Sequence, residues 1–388
     1  MEAPTRSFAS PKGRKGRVSA RHCIAGASLA FLVVGCGLHH EMGPRSPCPA
    51  AGSSAEWDWL GPTDPLEGQS ITRWCDMVGS PHIKPAPAAQ FGRSEDHDSL
   101  AVFSWNVDVG AGDLLSFMEE EVGLSCRLGD SEASAGFPQF VVLVQEAFRW
   151  SSELPPVTDQ RVAAMKRRSD ARQRGAPDIV EVAEQCGLAF VYVPSGRNGV
   201  DDPGERLHDK GSAILSTLPL SDFKAVVLPF ETERKVAVAA TVPLGSSDSL
   251  RVVNVHLEVT SSFHRVLLTG NQTRLRQTEG LIEALNRVEE DSGGTLPILL
   301  GGDFNTWSGR ESSLKSLWVA FPDSPEWDGK ATRGPFPTDH LFFRQAQRGS
   351  ETGHGRAYLV SESYRPIGPR LGSDHHARFA WVSFGGGE

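Results

Sequence analysis

The chain predicts an α/β protein in which mixed β-sheets are covered by helices. Apolar runs of strand length recur from Leu100 onward. Amphipathic stretches with the helical period separate some of these runs, while other runs follow one another directly. This irregular alternation argues for sheets with both parallel and antiparallel neighbours and helices packed outside them.

The strands predicted first are LAVFSWNV (100–107), FVVLVQE (140–146), LAFVYV (188–193) and GSAILS (211–216). VAVAATV (236–242), LRVVNVHL (250–257) and PILLGG (297–302) follow, and DHLFF (339–343), AYLVS (357–361) and ARFAWVSF (377–384) complete the set. Helices are predicted over 113–122, where Leu114, Leu115 and Met118 are apolar, and over 177–186. The longest spans 273–288, with Leu275, Ile282, Leu285 and Val288 along one face. RVAAMKRRSDARQRG (161–175) reads as a basic, solvated face. Residues 36–98, rich in Pro, Gly, Ser and Ala, read as a tether whose later part, with WDW (57–59) and RWC (73–75), can pack on the body. The body itself spans 99–388.

The formal charge is −9, but residues 1–35 carry six Lys/Arg and one acid. The remainder holds 33 basic and 47 acidic residues, a charge of −14. That is a poor footprint for non-specific nucleic-acid binding, which depends on Lys and Arg neutralising phosphates. Residues 1–35 read as an export signal: a basic lead, then the uncharged run CIAGASLAFLVVGCG (23–37). The run is shorter than the roughly 20 residues that a spanning helix needs. Val33-Val34-Gly35-Cys36 is similar to a bacterial lipobox, which implies cleavage before Cys36 and acylation of its thiol. The expectation is an exported protein held at a membrane of the cell envelope through Cys36, or secreted. Cys48, Cys75, Cys126 and Cys186 then remain for up to two disulfides, with the pairing left open.

The apolar strands end in residues that bind metals, phosphates or protons: Asn106, Glu146, His256, Asp303 with Asn305, Asp339, and Asp374 with His375. One such ending is ordinary, because Asp and Asn favour turns. Repetition at six strand ends is not, since strand ends along one sheet edge can converge on a single site. For GGDFNTW (301–307), two readings stand at this point: Asp303 and Asn305 cap a turn, or they face a charged substrate and a metal.

Taken in order, SWNV, VQEAF, NVHLE, GGDFNTW, TDHLFF and GSDHHARF resemble the signature segments of the endonuclease/exonuclease/phosphatase superfamily. The match covers roughly residues 99–385. The resemblance implies a four-layer α/β sandwich, two mixed sheets face to face with helices outside. It implies hydrolysis of a phosphate ester by metal-activated water, with Mg²⁺ or Mn²⁺ as cofactor. Glu146 matches the metal-holding carboxylate, Asn106 its neighbour, and Asp374 approaches the metal directly or through water. Asp303 matches the general base, and Asn305 is expected on the same side of an extended chain, donating to phosphate. His375 matches the last catalytic histidine, with Asp339 as its carboxylate partner, and His256 matches a second histidine that contacts phosphate or protonates the leaving oxygen. His340 and His376 are the alternatives if the register slips by one.

His208, His264 and His354 are expected at the surface, and Lys210 and Arg274 either on phosphate or solvated. The expected partner is a phosphodiester, nucleic acid or lipid headgroup, acted on by a monomer. A phosphomonoesterase with a basic pocket of Arg197, Arg206 and Lys210, or an inactive binding protein on the same fold, are the alternatives.

Overall fold

The computed structural model describes residues 41–46, 57–87, 99–126, 137, 139–157, 176–199, 207–244, 248–259, 272–292, 296–326, 328–346, 356–360 and 371–385. Residues 1–35, Cys36, Arg206, His264, His354 and the basic stretch 161–175 lie outside them.

Strands, numbered in chain order, form two seven-stranded sheets among these residues. Across the first run β1 (Met42–Pro44), β2 (Trp57–Pro62), β8 (Ser221–Val227), β9 (Val236–Leu244), β10 (Asp248–His256), β11 (Ile298–Asp303) and β12 (Asp339–Arg344). Across the second run β13 (Arg356–Val360), β14 (Arg378–Gly385), β4 (Ser99–Asn106), β5 (Phe140–Trp150), β7 (His208–Ser216), β6 (Ala189–Arg197) and β3 (His82–Lys84). Pairs β4/β5, β10/β11 and β2/β8 are parallel and the rest antiparallel. Both sheets are therefore mixed, as predicted.

Side-chain alternation builds the layers. Val102, Leu143, Val191 and Ile214 of one sheet meet Val238, Val252, Leu299 and Leu341 of the other in a buried inter-sheet core. The intervening residues point outward. Ile298 and Leu300 pack under α4 (Gln272–Asp291) and α5 (Ser312–Ala320), and Phe103, Trp105, Phe140 and Val142 under α2 (Leu114–Phe117) and α3 (Ile179–Gln185). The result is the four-layer α/β sandwich that the resemblance implied. Helix α2 continues into a π turn over Met118–Val122, and α3 starts on a capping box in which Asp178 accepts from Val180 and Glu181 while Glu181 accepts from Asp178. No helix among the described residues is long and apolar enough to cross a membrane.

Residues 57–87 of the stretch read as a tether pack on the body, as allowed for WDW and RWC, and residues 42–44 join them. This stretch supplies β1 and β2 to one sheet, β3 to the other, and α1 (Pro65–Cys75), capped by Asp64. Its aromatics explain why: Trp59 packs into the inter-sheet core, and Trp74 is buried against Phe230. High Pro, Gly and Ser content hid strands that sit at sheet edges, where short pieces with few apolar residues suffice. Cys126 and Cys186 form a disulfide, and Cys75 is disulfide-bonded too.

A buried polar seam joins the sheets. Asn254 of β10 donates through Nδ2 to the carbonyls of Val144 and Ala213, at 2.8 Å each, and its Oδ1 accepts from Gln145 Nε2 at 2.7 Å. Gln145 also donates to Ser104 Oγ. Asn254→Ala would remove the side-chain donor from two buried carbonyls, at about 1–3 kcal/mol for each unsatisfied group, while the Gln145 amide keeps Ser104 Oγ and the Leu143 carbonyl. We expect a loss of at least about 2 kcal/mol in denaturant unfolding; a loss under about 1 kcal/mol would show that the seam is dispensable.

Candidate active site

Two of the three parallel pairs place the site. In β4/β5, Asn106 lies beside Gln145; in β10/β11, His256 lies beside Asp303; and β12, antiparallel to β11, brings Asp339 beside Asp303. The carboxyl ends of β4, β10 and β11 and the amino end of β12 thus meet at one edge, with β5 running past it. Two backbone features permit this. A bulge in β5 between Val144 and Ala147 sets Glu146 at φ 52°, a left-handed conformation that costs an L-residue about 1–2 kcal/mol. At Gly302 (φ 153°), a Cβ would stand 1.8 Å from the carbonyl oxygen of Val255, so only glycine lets β10 and β11 run together just before Asp303.

Asp303 is the hub. Its Oδ1 accepts the backbone N–H of Asn305 at 2.8 Å, and its Oδ2 accepts Asn106 Nδ2 at 2.9 Å. The same Oδ2 is 3.7 Å from Nε2 of both His256 and His375. His375 Nδ1 is 2.8 Å from Asp339 Oδ2, and that carboxylate also accepts from Thr338 Oγ1. Ser373 Oγ donates to the Asn106 carbonyl and accepts from the His375 N–H, while Trp105 Nε1 donates to the His375 carbonyl. These bonds fix the histidine against β4. His256 Nε2 lies 3.8 Å from Glu146 Oε1.

Electrostatics follow from this packing. Burial works against a charge on His375, but Asp339 and Asp303 outweigh it and raise its pKa to about 9. Burial pushes Asp303 up to about 6; the positive His375 and the Asn106 bond hold it down, and the charge of Asp339 adds to the rise. For Asp339, burial is overcome by the charge and hydrogen bond of His375, and its carboxyl is held below the usual range.

Asn106, Glu146, His256, Asp303, Asp339 and His375 are brought together. Asp374 stands at the rim, half-exposed, with Oδ2 on Arg333 Nη2 at 2.6 Å and Oδ1 3.6 Å from His375 Nε2. Asn305 departs from expectation. The strand stops at Asp303, Asn305 takes φ 51°, and its Nδ2 donates to the Leu257 carbonyl at 2.8 Å. The extended-chain argument therefore does not apply to it, and the turn-cap reading holds for one oxygen of Asp303 only. His340 faces the other side of β12, bonded to Thr306 Oγ1 and the Pro337 carbonyl, and burial lowers its pKa to about 4. His208, expected at the surface, is buried in β7 against Asn198. Lys210 and Arg274 are buried rather than solvated, with Arg274 3.4 Å from Glu311.

Sequence reading missed Lys235, Arg333 and the hydroxyls of Thr332, Thr338 and Ser373. Lys235 directly precedes β9, which runs antiparallel to β10 and so begins at the edge where β10 ends. Burial opposes the Lys235 charge, but Glu233, Glu146, Glu258 and Asp303 raise its pKa overall.

Asp303, Asp339 and His375 each offer a ligand atom within 4.8 Å of the others. Oδ1 of Asp339 is buried with no hydrogen-bond partner among the described residues. Such converging carboxylates fit a hard divalent cation, whose charge would relieve their mutual repulsion.

A profile of the Endonuclease/Exonuclease/phosphatase family matches residues 103–375. No curated protein matches the chain. Among solved structures it is similar to an endonuclease/exonuclease/phosphatase from Beutenbergia cavernae DSM 12333, at 16% identity and TM-score 0.44, covering 74% of this chain and 72% of that one. The human Nocturnin catalytic domain with bound sulfate anion aligns at 16% identity and TM-score 0.42, covering 74% and 96%. Sphingomyelinase C from Streptomyces griseocarneus aligns at 14% and 0.41, covering 74% and 99%. With the profile spanning well over half its length, the chain belongs to the endonuclease/exonuclease/phosphatase family.

Proposed function

We propose that the protein is a divalent-cation-dependent phosphodiesterase of the nuclease-like kind, working at the Asp303 site. One observation supports this above the others: a carboxylate oxygen, oriented by Asn106, sits between two histidine nitrogens at 3.7 Å each. Asp303, ionised at neutral pH, takes a proton from the attacking water. His375, positively charged, meets the negative charge that grows on the phosphoryl oxygens, and Asp339 fixes its ring. His256 gives a proton to the departing alkoxide, which an unactivated diester requires. Asn305 acts as a positioning residue through its N–H on Asp303. The resemblance would give Mg²⁺ or Mn²⁺ to Glu146 with Asn106 and Asp374, whereas the ligand atoms that converge are those of Asp303, Asp339 and His375; held at this edge, the ion would supply polarisation of the phosphoryl group.

The base must be ionised and the histidine protonated. Activity should therefore rise as pH passes about 6 and fall as it passes about 9, the raised values of Asp303 and His375. The measurement is hydrolysis of bis(p-nitrophenyl) phosphate across pH with Mg²⁺ or Mn²⁺. EDTA should abolish it. Turnover that survives EDTA, or faster phosphate release from an inositol phosphate, would overturn the diesterase reading. The monoesterase pocket finds less support, since Arg197 is buried and donates to the Pro155 carbonyl.

We further propose export and membrane anchoring through Cys36. The Cys126–Cys186 disulfide suits an oxidising compartment. Cys36→Ser should shift the protein from membrane to soluble fractions; unchanged fractionation would exclude the anchor.

A further inference from the structure

Beside Glu146 and His256 opens a small polar cleft whose other lining residues include Ser195, Lys210, Ser212 and Lys235. Both lysines are more than nine-tenths buried. The two serine hydroxyls are committed to backbone carbonyls, Ser195 to Lys210 and Ser212 to Val236. Lys235 has Glu233 at 3.4 Å, whereas Lys210 has no carboxylate within ion-pair distance among the described residues. A lysine with so little of its surface in water and no ion-pair partner keeps little hydration on its ammonium, so its place in the cleft favours an anion there. The backbone is shaped to aim it. Strand β7 runs between two bulged neighbours, β5 at Val144/Ala147 and β6 at Pro194/Gly196, with Lys210-Gly211 between the bulges. At Gly211 a Cβ would stand 2.0 Å from the Val193 carbonyl oxygen, so the strand closes tightly there.

We propose that Lys210 and Lys235 form a phosphate-binding subsite contiguous with the Glu146–His256 side of the catalytic centre. The subsite rests on the phosphate-ester reading and adds the residues that select the substrate by its charge. Its occupant is a phosphate group, either the one being cleaved or a second one on the same substrate.

Calorimetric titration of inorganic phosphate into the full chain in EDTA tests it without turnover. Lys210→Met and Lys235→Met should each weaken phosphate binding about tenfold, the loss of one charge-assisted contact. Lys210→Arg and Lys235→Arg should bind within about threefold of the unmodified protein, which controls for misfolding. Phosphate affinity in the double Met variant equal to that of the unmodified protein, or no phosphate binding by the latter, would overturn the subsite. KM values then locate the occupant. A rise for every substrate, bis(p-nitrophenyl) phosphate included, places the scissile phosphate there, and a rise confined to a 5′-phosphorylated dinucleotide, against the same dinucleotide without its terminal phosphate, places a second phosphate there. Phosphate binding through the lysines in a protein that hydrolyses nothing would sink the hydrolase reading and leave the subsite standing. Hydrolysis with lysine-independent KM and phosphate affinity would do the reverse.

Discussion

Asp303→Asn is expected to lower kcat for diester hydrolysis about 10³- to 10⁴-fold, the range for removing a general base from an assembled site. The fold should survive, because the carboxylate is a burden on it. With its pKa raised from 3.8 to about 6, the folded state binds a proton more readily than the unfolded chain between those values. Stability is therefore lost as pH rises through that window, by up to about 3 kcal/mol at neutral pH in metal-free protein. The Asn variant should accordingly melt no lower than the unmodified protein at pH 7 and lose its advantage below pH 4. An inactive variant that is also strongly destabilised would mean that Asp303 serves the turn rather than the reaction. Full activity would remove it from the mechanism.

His375→Gln should cost about 10²- to 10⁴-fold in kcat, since the charged ring that faces Asp303 is gone. A glutamine amide can still donate to Asp339 but carries no positive charge, so the fall in activity near pH 9 should vanish with it. An alkaline limb that persists unchanged would assign it to another group. Stability should decline as well, because Asp339 is wholly buried and its depressed pKa depends on the imidazolium.

Much of this was legible in the residues alone. The predicted strands from Leu100 onward coincide with observed ones within a few positions, because buried strands must be apolar on one or both faces, and β8 was not predicted. The strand-end residues Asn106, His256 and Asp303 fell on one edge because parallel neighbours end together, whereas Glu146 reaches it from a bulge inside β5, which runs on to Trp150. What stayed hidden depended on backbone conformation or on partners distant in sequence. Asn305 looks extended in DFN and is left-handed in the fold. Asn254 and Gln145 sit inside apolar strands, where sequence gives no sign that each completes the other across two sheets. Lys235 stands in the charged run Glu231–Lys235 and reads as a loop residue, whereas in the fold it lines the same cleft as Glu146 and His256.

The site takes Asn106 and Glu146 from one sheet and His256, Asp303 and Asp339 from the other. Neither half of the sandwich contains a working centre. A chain caught during folding, with one sheet formed or the two not yet docked, holds scattered carboxylates and histidines and is catalytically silent. On the proposed mechanism, hydrolysis therefore requires the two sheets to be docked. The Asn254–Gln145 seam makes the converse accessible. In Asn254→Ala, mild denaturant should part the sheets and extinguish activity while most backbone hydrogen bonds within each sheet persist.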